Sequence, residues 1–133
     1  MRRTVLALAA CLVAAPLTAP ASAVDYEVES YCRFVLKSVP TKEEVLVAVV
    51  AEAHALGPVP AAATTVTCTV RNDRHQEYRV TGNSVGPDAY AAGAEYMSWV
   101  GVEVCSTSSA TWIEPDLRQT TVSEGIKCRP GNA

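Results

Sequence analysis

Apolar and polar residues alternate along most of this chain, and the period is two. From 26 to 36, Tyr26, Val28, Cys32, Phe34 and Leu36 fall on one side, and Asp25, Glu27, Glu29, Arg33 and Lys37 on the other. That is the pattern of a strand with one face in a core and one in water. From 64 to 70, Val66, Cys68 and Val70 face in, and Thr65, Thr67 and Thr69 face out. Asn72-Asp73-Arg74-His75 reads as a turn into a strand from Gln76 to Thr81, and Gly82-Asn83 with Gly86-Pro87 as a loop. Tyr96, Val100, Val102 and Val104 line one face of a further strand. Ser106 to Ser109 reads as a turn before Thr111-Trp112-Ile113, and Glu114-Pro115-Asp116 as another. Val122, Ile126 and Cys128 share a face in a last strand.

One segment supports two readings. Thr41-x-x-Glu44 is a helix capping pattern and Gly57-Pro58 a helix stop, which together outline a helix over 42–56. Against it, Val45, Val47, Val49, Ala51, Ala53 and Ala55 alternate in strand register, and valine is stiff at χ1. The strand is preferred, giving an all-β domain; the alternative is an α+β one.

The N-terminus changes the frame. Met1-Arg2-Arg3, an apolar run from Val5 to Ala15 and Ala21-Ser22-Ala23 have the order of a signal peptide, with Val24 as the first mature residue. The expected organisation is residues 1–23 as signal and 24–133 as one domain, secreted and without a membrane span. Leu8-Ala9-Ala10-Cys11 also spells a lipobox, so lipid anchoring through Cys11 is the alternative. The mature chain keeps nine basic and 14 acidic side chains, which argues against general binding to nucleic acid. Its cysteines are Cys32, Cys68, Cys105 and Cys128. An even set in an exported chain reads as two disulfides with three possible pairings, of which that joining sequence neighbours is preferred. Their wide spacing does not suit a metal, and no cofactor is expected.

Turn signals between short strands, about seven of them, with two cystines fit a β-sandwich. The segment Ala55 to Val70 with its Thr67-Cys68-Thr69-Val70 end, and Val102-x-Val104-Cys105 followed by Thr111-Trp112, resemble small exported actinobacterial proteins with immunoglobulin-like sandwiches. The resemblance implies that fold and no established activity. Secreted subtilisin inhibitors match in length, export and cysteine count, but their short disulfide loop has no counterpart here.

Candidate chemistry is sparse. His54 and His75 are the only histidines, and no H-E-x-x-H motif occurs. Asp25, Glu27 and Glu29 read as a solvated acidic face. Glu114 and Asp116, flanking Pro115, read as a turn. The candidate binding residues are two sets. Arg71, Arg74 and Arg79 gather with His75 on one hairpin, interleaved with Asp73 and Glu77. Met97, Trp99 and Trp112, with Tyr90, offer either core packing or an exposed aromatic surface for a partner. The expectation is a secreted, non-enzymatic module that binds an extracellular protein or cell-surface glycan. The alternatives are a small hydrolase using unidentified carboxylates, or a protease inhibitor presenting a loop around Gly82 to Tyr90.

Overall fold

The computed structural model describes residues 25–37 and 44–131. The signal segment, Cys11 and Thr41 lie outside them. Seven strands run through the described residues: β1 (Glu27–Lys37), β2 (Val45–Leu56), β3 (Ala63–Arg71), β4 (Glu77–Ser84), β5 (Asp88–Met97), β6 (Glu103–Ile113) and β7 (Gln119–Pro130). They form two antiparallel sheets, one in the order β1-β2-β5 and one in the order β4-β3-β6-β7. The contested segment is strand β2, and its inward residues are those the alternation picked out. Val47, Val49, Ala51, Ala53 and Ala55 are buried against Val66, Cys68 and Val70 of β3 and Val104, Ala110 and Trp112 of β6. Each fully buried valine is worth roughly 1.5–3 kcal/mol over an exposed one, which outweighs the helical caps at the segment's ends. Cys32 bonds Cys68 across the two sheets, and Cys105 bonds Cys128 across neighbouring strands.

Three local expectations are overturned, besides those of a loop at Gly82-Asn83, which lies within β4, and of an inward Leu36, which is 40% exposed. Residues 96–104 are not one strand: β5 stops at Met97 and β6 starts at Glu103. Between them the chain turns through Gly101, whose φ of 63° favours glycine. Asn72, buried under this turn, holds it by donating from Nδ2 to the Ser98 carbonyl at 2.8 Å. Tyr96 is therefore exposed, whereas Val102 and Val104 are buried. Next, Ser106 to Ser109 is the middle of β6, not a turn. Ladders to β3 on one side and β7 on the other fix its backbone, and tertiary pairing overrides the weak strand propensity of serine.

The third correction concerns β7. Ser106 pairs with Lys127 but Ser108 pairs with Glu124, so β7 uses three residues where β6 uses two. One extra residue reverses the alternation of side chains along a strand. Before this bulge Thr120, Val122 and Glu124 lie opposite the inward residues of β6; after it Lys127 and Arg129 do. Val122 thus packs on the core, while Ile126 is 73% exposed and does not share its face.

The sandwich's two long sides differ. Where β4 meets β5 the backbones approach so closely that a Cβ on Gly82 would strike the Tyr90 carbonyl. On the other side, β1 and β7 stand apart and leave a cleft between the sheets.

Candidate functional site

Two surfaces deserve comparison: the β1–β7 cleft, and the outer face of the three-stranded sheet. The cleft has a volume of about 380 Å³ and is lined by Ser30, Tyr31, Arg33, Val104, Ser106, Lys127 and Arg129, among others. Its size is that of a small-molecule site, but its polar groups are directed at the protein itself. The Glu124 carboxylate accepts from Ser30 Oγ at 2.5 Å and Ser108 Oγ at 3.1 Å, and pairs with Lys127 Nζ at 2.9 Å. Burial pushes this carboxyl's pKa up, but the bonds from Lys127, Ser30 and Ser108 outweigh it and hold the value below the usual carboxylate range. Lys127 also donates to the Ser30 carbonyl at 3.3 Å. Arg129 donates to the Cys32 carbonyl at 3.0 Å and lies over the Phe34 ring. Arg33 is paired with Glu52 at 2.6 Å. The β7 cations thus cap carbonyls along the outer edge of β1, which otherwise offers an unpaired strand to other chains.

The outer face of the three-stranded sheet is built differently. Reading across β1, β2 and β5, the ladder sets Glu29, His54 and Asp88 in one row, then Tyr31, Glu52 and Tyr90. The next rows are Arg33, Val50 and Ala92; Val35, Ala48 and Ala94; and Lys37, Leu46 and Tyr96. Because side chains alternate, these are the residues opposite the buried set. Half the face is therefore an apolar floor. Val35 is 62% exposed, Ala92 and Ala94 are exposed, and Leu46, Ala48 and Val50 are half-buried. Three tyrosines stand on it, Tyr31, Tyr90 and Tyr96. The other half is polar and internally paired. His54 Nδ1 lies 2.8 Å from Asp88 Oδ1, and the Tyr31 hydroxyl donates to Glu29 at 2.7 Å. That hydrogen bond, with the Glu29 charge, raises the Tyr31 phenol above its usual pKa.

The candidates from the sequence are distributed otherwise. Trp112 is wholly buried, its ring centroid 4.8 Å from that of Tyr26, and Met97 is buried beside the same core. Trp99 is half-buried against Phe34 at 5.0 Å. Of the two alternatives all three take packing, Met97 and Trp112 fully and Trp99 in part; β5 ends at Met97, so Met97 and Trp99 do not alternate along one strand. Of that set only Tyr90 is exposed, on the three-stranded face. Arg71 and Arg79 lie on the outer face of the four-stranded sheet. Both bond Glu77, at 3.1 and 3.4 Å, and Arg71 also reaches Glu103 at 3.5 Å. Arg74 sits in the turn before β4, its backbone N–H donating to Asn72 Oδ1. Arg71 and Arg79 are thus held in surface ion pairs.

Around them the four-stranded face carries hydroxyls bonded to one another, as in Thr67 with Thr81 and Thr111 with Thr121, both at 3.1 Å. The connection between β4 and β5, considered as an inhibitor loop, is a turn of three residues, Val85-Gly86-Pro87. It is pinned by Gly86 N–H to Ala62 O and by Thr64 Oγ1 to Gly86 O. Glu114 and Asp116 both pair with Arg118, at 3.6 and 2.7 Å. Glu103 lies beside Cys105 and Cys128, but those sulfurs are joined as a disulfide and offer no thiolate to a metal.

Sequence reasoning missed Tyr31, Tyr96 and the apolar floor. The signal was available in the alternation: Tyr31 has opposite parity to Val28 and Cys32, and Ala48 and Val50 have opposite parity to Val47 and Val49. No family model matches this chain, and no curated protein does either. Among solved structures, it is similar to a Bordetella pertussis protein provisionally named ApaA, with a TM-score of 0.44 and 13% identity over 78% of this chain and 91% of that one. A second, a Northeast Structural Genomics Consortium target solved by X-ray diffraction, has a TM-score of 0.40 and 14% identity over 81% and 89%. Neither likeness carries an argument about function.

Proposed function

We propose that this chain is an exported, non-enzymatic binding module that engages a partner through the outer face of its β1-β2-β5 sheet. The supporting observation is the apolar floor of Val35, Ala48, Val50, Ala92 and Ala94, ringed by Tyr31, Tyr90 and Tyr96. Contiguous apolar surface rimmed by polar pairs marks interaction sites on soluble domains, and tyrosine is enriched at interfaces. Export rests on the signal pattern of residues 1–23, and the two cystines suit an oxidising compartment. The resemblance to actinobacterial immunoglobulin-like proteins belongs to the same reading. In the constant-type immunoglobulin order the fourth strand joins the fifth, whereas here β4 pairs with β3, so any kinship is with a variant of that arrangement.

The absence of converging catalytic groups among the described residues favours binding over hydrolysis. His54 and Asp88 are paired on the surface with no serine hydroxyl bonded to either. The test is a photo-crosslinking amino acid placed at Ala92, or at Thr67 on the opposite sheet, in protein secreted by its native cells. Adducts from position 92 and none from 67 support the reading. No adduct at 92, or equal yields at both, refutes it.

A further inference from the structure

We infer that the β1–β7 cleft is a second binding site, independent of the three-stranded face, for the carboxylate end of a small organic acid. One hydroxyl is the exception to the cleft's bonding onto the protein itself. Ser106 lies opposite the buried Cys68 in the ladder, so its side chain points between the sheets, and it lines the cleft beside Val104. Ser106 is only 7% exposed. Ser30 and Ser108, buried alike, both donate to Glu124, whereas Ser106 Oγ makes no hydrogen bond among the described residues. Buried hydroxyls are as a rule paired, and leaving one unmade is costly. An acceptor oxygen brought in by a ligand completes it.

The second observation is the register of β7. Strict alternation from Val122 turns Ile126 and Cys128 inward. The bulge instead sets Lys127 opposite Ser106 and Arg129 opposite Val104, on the cleft side, and leaves Ile126 73% exposed. Exposing an isoleucine to aim two cations at a cleft runs against stability alone. Bulges recur where a strand re-aims side chains beside a site. The Cys105–Cys128 bond, just past the bulge, locks this register, so the cations are set in place before a ligand arrives.

The donors left over define the ligand. Lys127 gives one bond to Glu124 and one to the Ser30 carbonyl, which leaves an N–H of its ammonium. Arg129 gives one to the Cys32 carbonyl and meets no carboxylate among the described residues. The nearby acids are taken, Glu124 by Lys127 and two serines, and Glu52 by Arg33. The cleft thus offers N–H and O–H donors with one cation in excess, which suits an anionic acceptor. A single charge is that of a carboxylate, whereas a phosphate monoester carries about −1.5 to −2. A planar carboxylate also matches the guanidinium fork. Val104 supplies a wall for the acid's apolar body, within a volume of about 380 Å³. A free acid and the C-terminus of a short peptide both bring this group.

The experiment is an amide NMR titration of the secreted, disulfide-bonded chain with hexanoate, N-acetyl-dialanine, hexanamide and inorganic phosphate. The expected result is saturable shifts at Val104, Ser106, Lys127 and Arg129 with at least one of the two carboxylates, and none with hexanamide. Response to hexanoate alone supports a free acid, and to N-acetyl-dialanine alone a peptide terminus. Arg129→Gln weakens binding about tenfold or more and Ser106→Ala about threefold, while Thr67→Ala on the four-stranded face leaves it unchanged. Ser106→Ala removes only an unbonded hydroxyl, so it keeps the test decisive if Arg129→Gln fails to fold. No saturable shift with either carboxylate overturns the site, as does hexanamide binding as well as hexanoate, phosphate binding tighter than both acids, or Ser106→Ala binding like the parent. Carboxylate shifts at Val50 and Ala92 instead discard the cleft and leave the three-stranded face standing.

Discussion

Glu124 stands just before the bulge in β7, where it is the common acceptor for two serines from different sheets. Replacing it with alanine leaves Ser30 Oγ and Ser108 Oγ without their acceptor, in residues only 2% and 4% exposed. It also leaves Lys127 without its carboxylate. A hydrogen bond to a charged group contributes roughly 1.5–3 kcal/mol, and a buried hydroxyl left unpaired costs about 1–3 kcal/mol. The Glu124 side chain is 19% exposed, so water offsets part of this, and the half-exposed Lys127 adds little. The expected loss for Glu124→Ala is therefore about 2–4 kcal/mol, a large share of the 5–15 kcal/mol typical of a domain. Glu124→Gln keeps an oxygen for the serines and loses only the ion pair, so it should cost about 1 kcal/mol. Denaturant unfolding without reductant reads both as shifts of the midpoint at constant slope. If both variants unfold within about 0.5 kcal/mol of the parent, the network does not hold β1 to β7 and the reasoning fails.

Three further predictions follow from the same structure. Because the Glu124 carboxyl has a folded pKa below its ordinary value of 4.5, its contribution is complete above that pH and lost as the pH falls through the folded value. Acid unfolding curves should then fall more steeply below about pH 4.5 for the parent than for Glu124→Gln, and parallel curves would contradict this. Replacing Cys32 and Cys68 with alanine opens a sequence separation of 36, and replacing Cys105 and Cys128 one of 23. Each should cost roughly 3–4 kcal/mol by loop entropy, the first pair more, because it also links the sheets through the core; thermal melts of the two variants compare them. Gly82→Ala places a Cβ against the Tyr90 carbonyl and should destabilise the β4–β5 side by about 1–3 kcal/mol, whereas Gly125→Ala, with open space around it, should cost far less.

Much of the fold was legible because a period of two is a strong signal when one face is buried. The inward residues of β2 and β3, and those of β1 apart from Leu36, follow from it directly, whereas the pairing of neighbouring cysteines was one preference among three. The alternation failed where the ladder itself departs from regularity. Nothing around Gly125 announces that β7 will take one residue more than β6, yet that residue decides whether Ile126 or Lys127 faces inward. The serines of β6 and the alanines of β5 carry weak strand propensity, so their strands exist through pairing with β3, β7 and β2. The candidate site was hidden for a different reason. Its floor is made of alanines and valines, ordinary residues whose meaning depends on which side of β2 they occupy and on their exposure among the described residues.

Amide NMR spectra of the secreted chain, recorded with and without concentrated extracellular medium of its native cells, test the central claim most directly, since they report which face meets a partner. The account predicts progressive shifts at Arg33, Val35, Val50 and Ala92 as the medium is added, with Thr67, Thr107 and Thr121 on the opposite sheet unmoved. Shifts confined to the four-stranded face or to the β1–β7 cleft would contradict it.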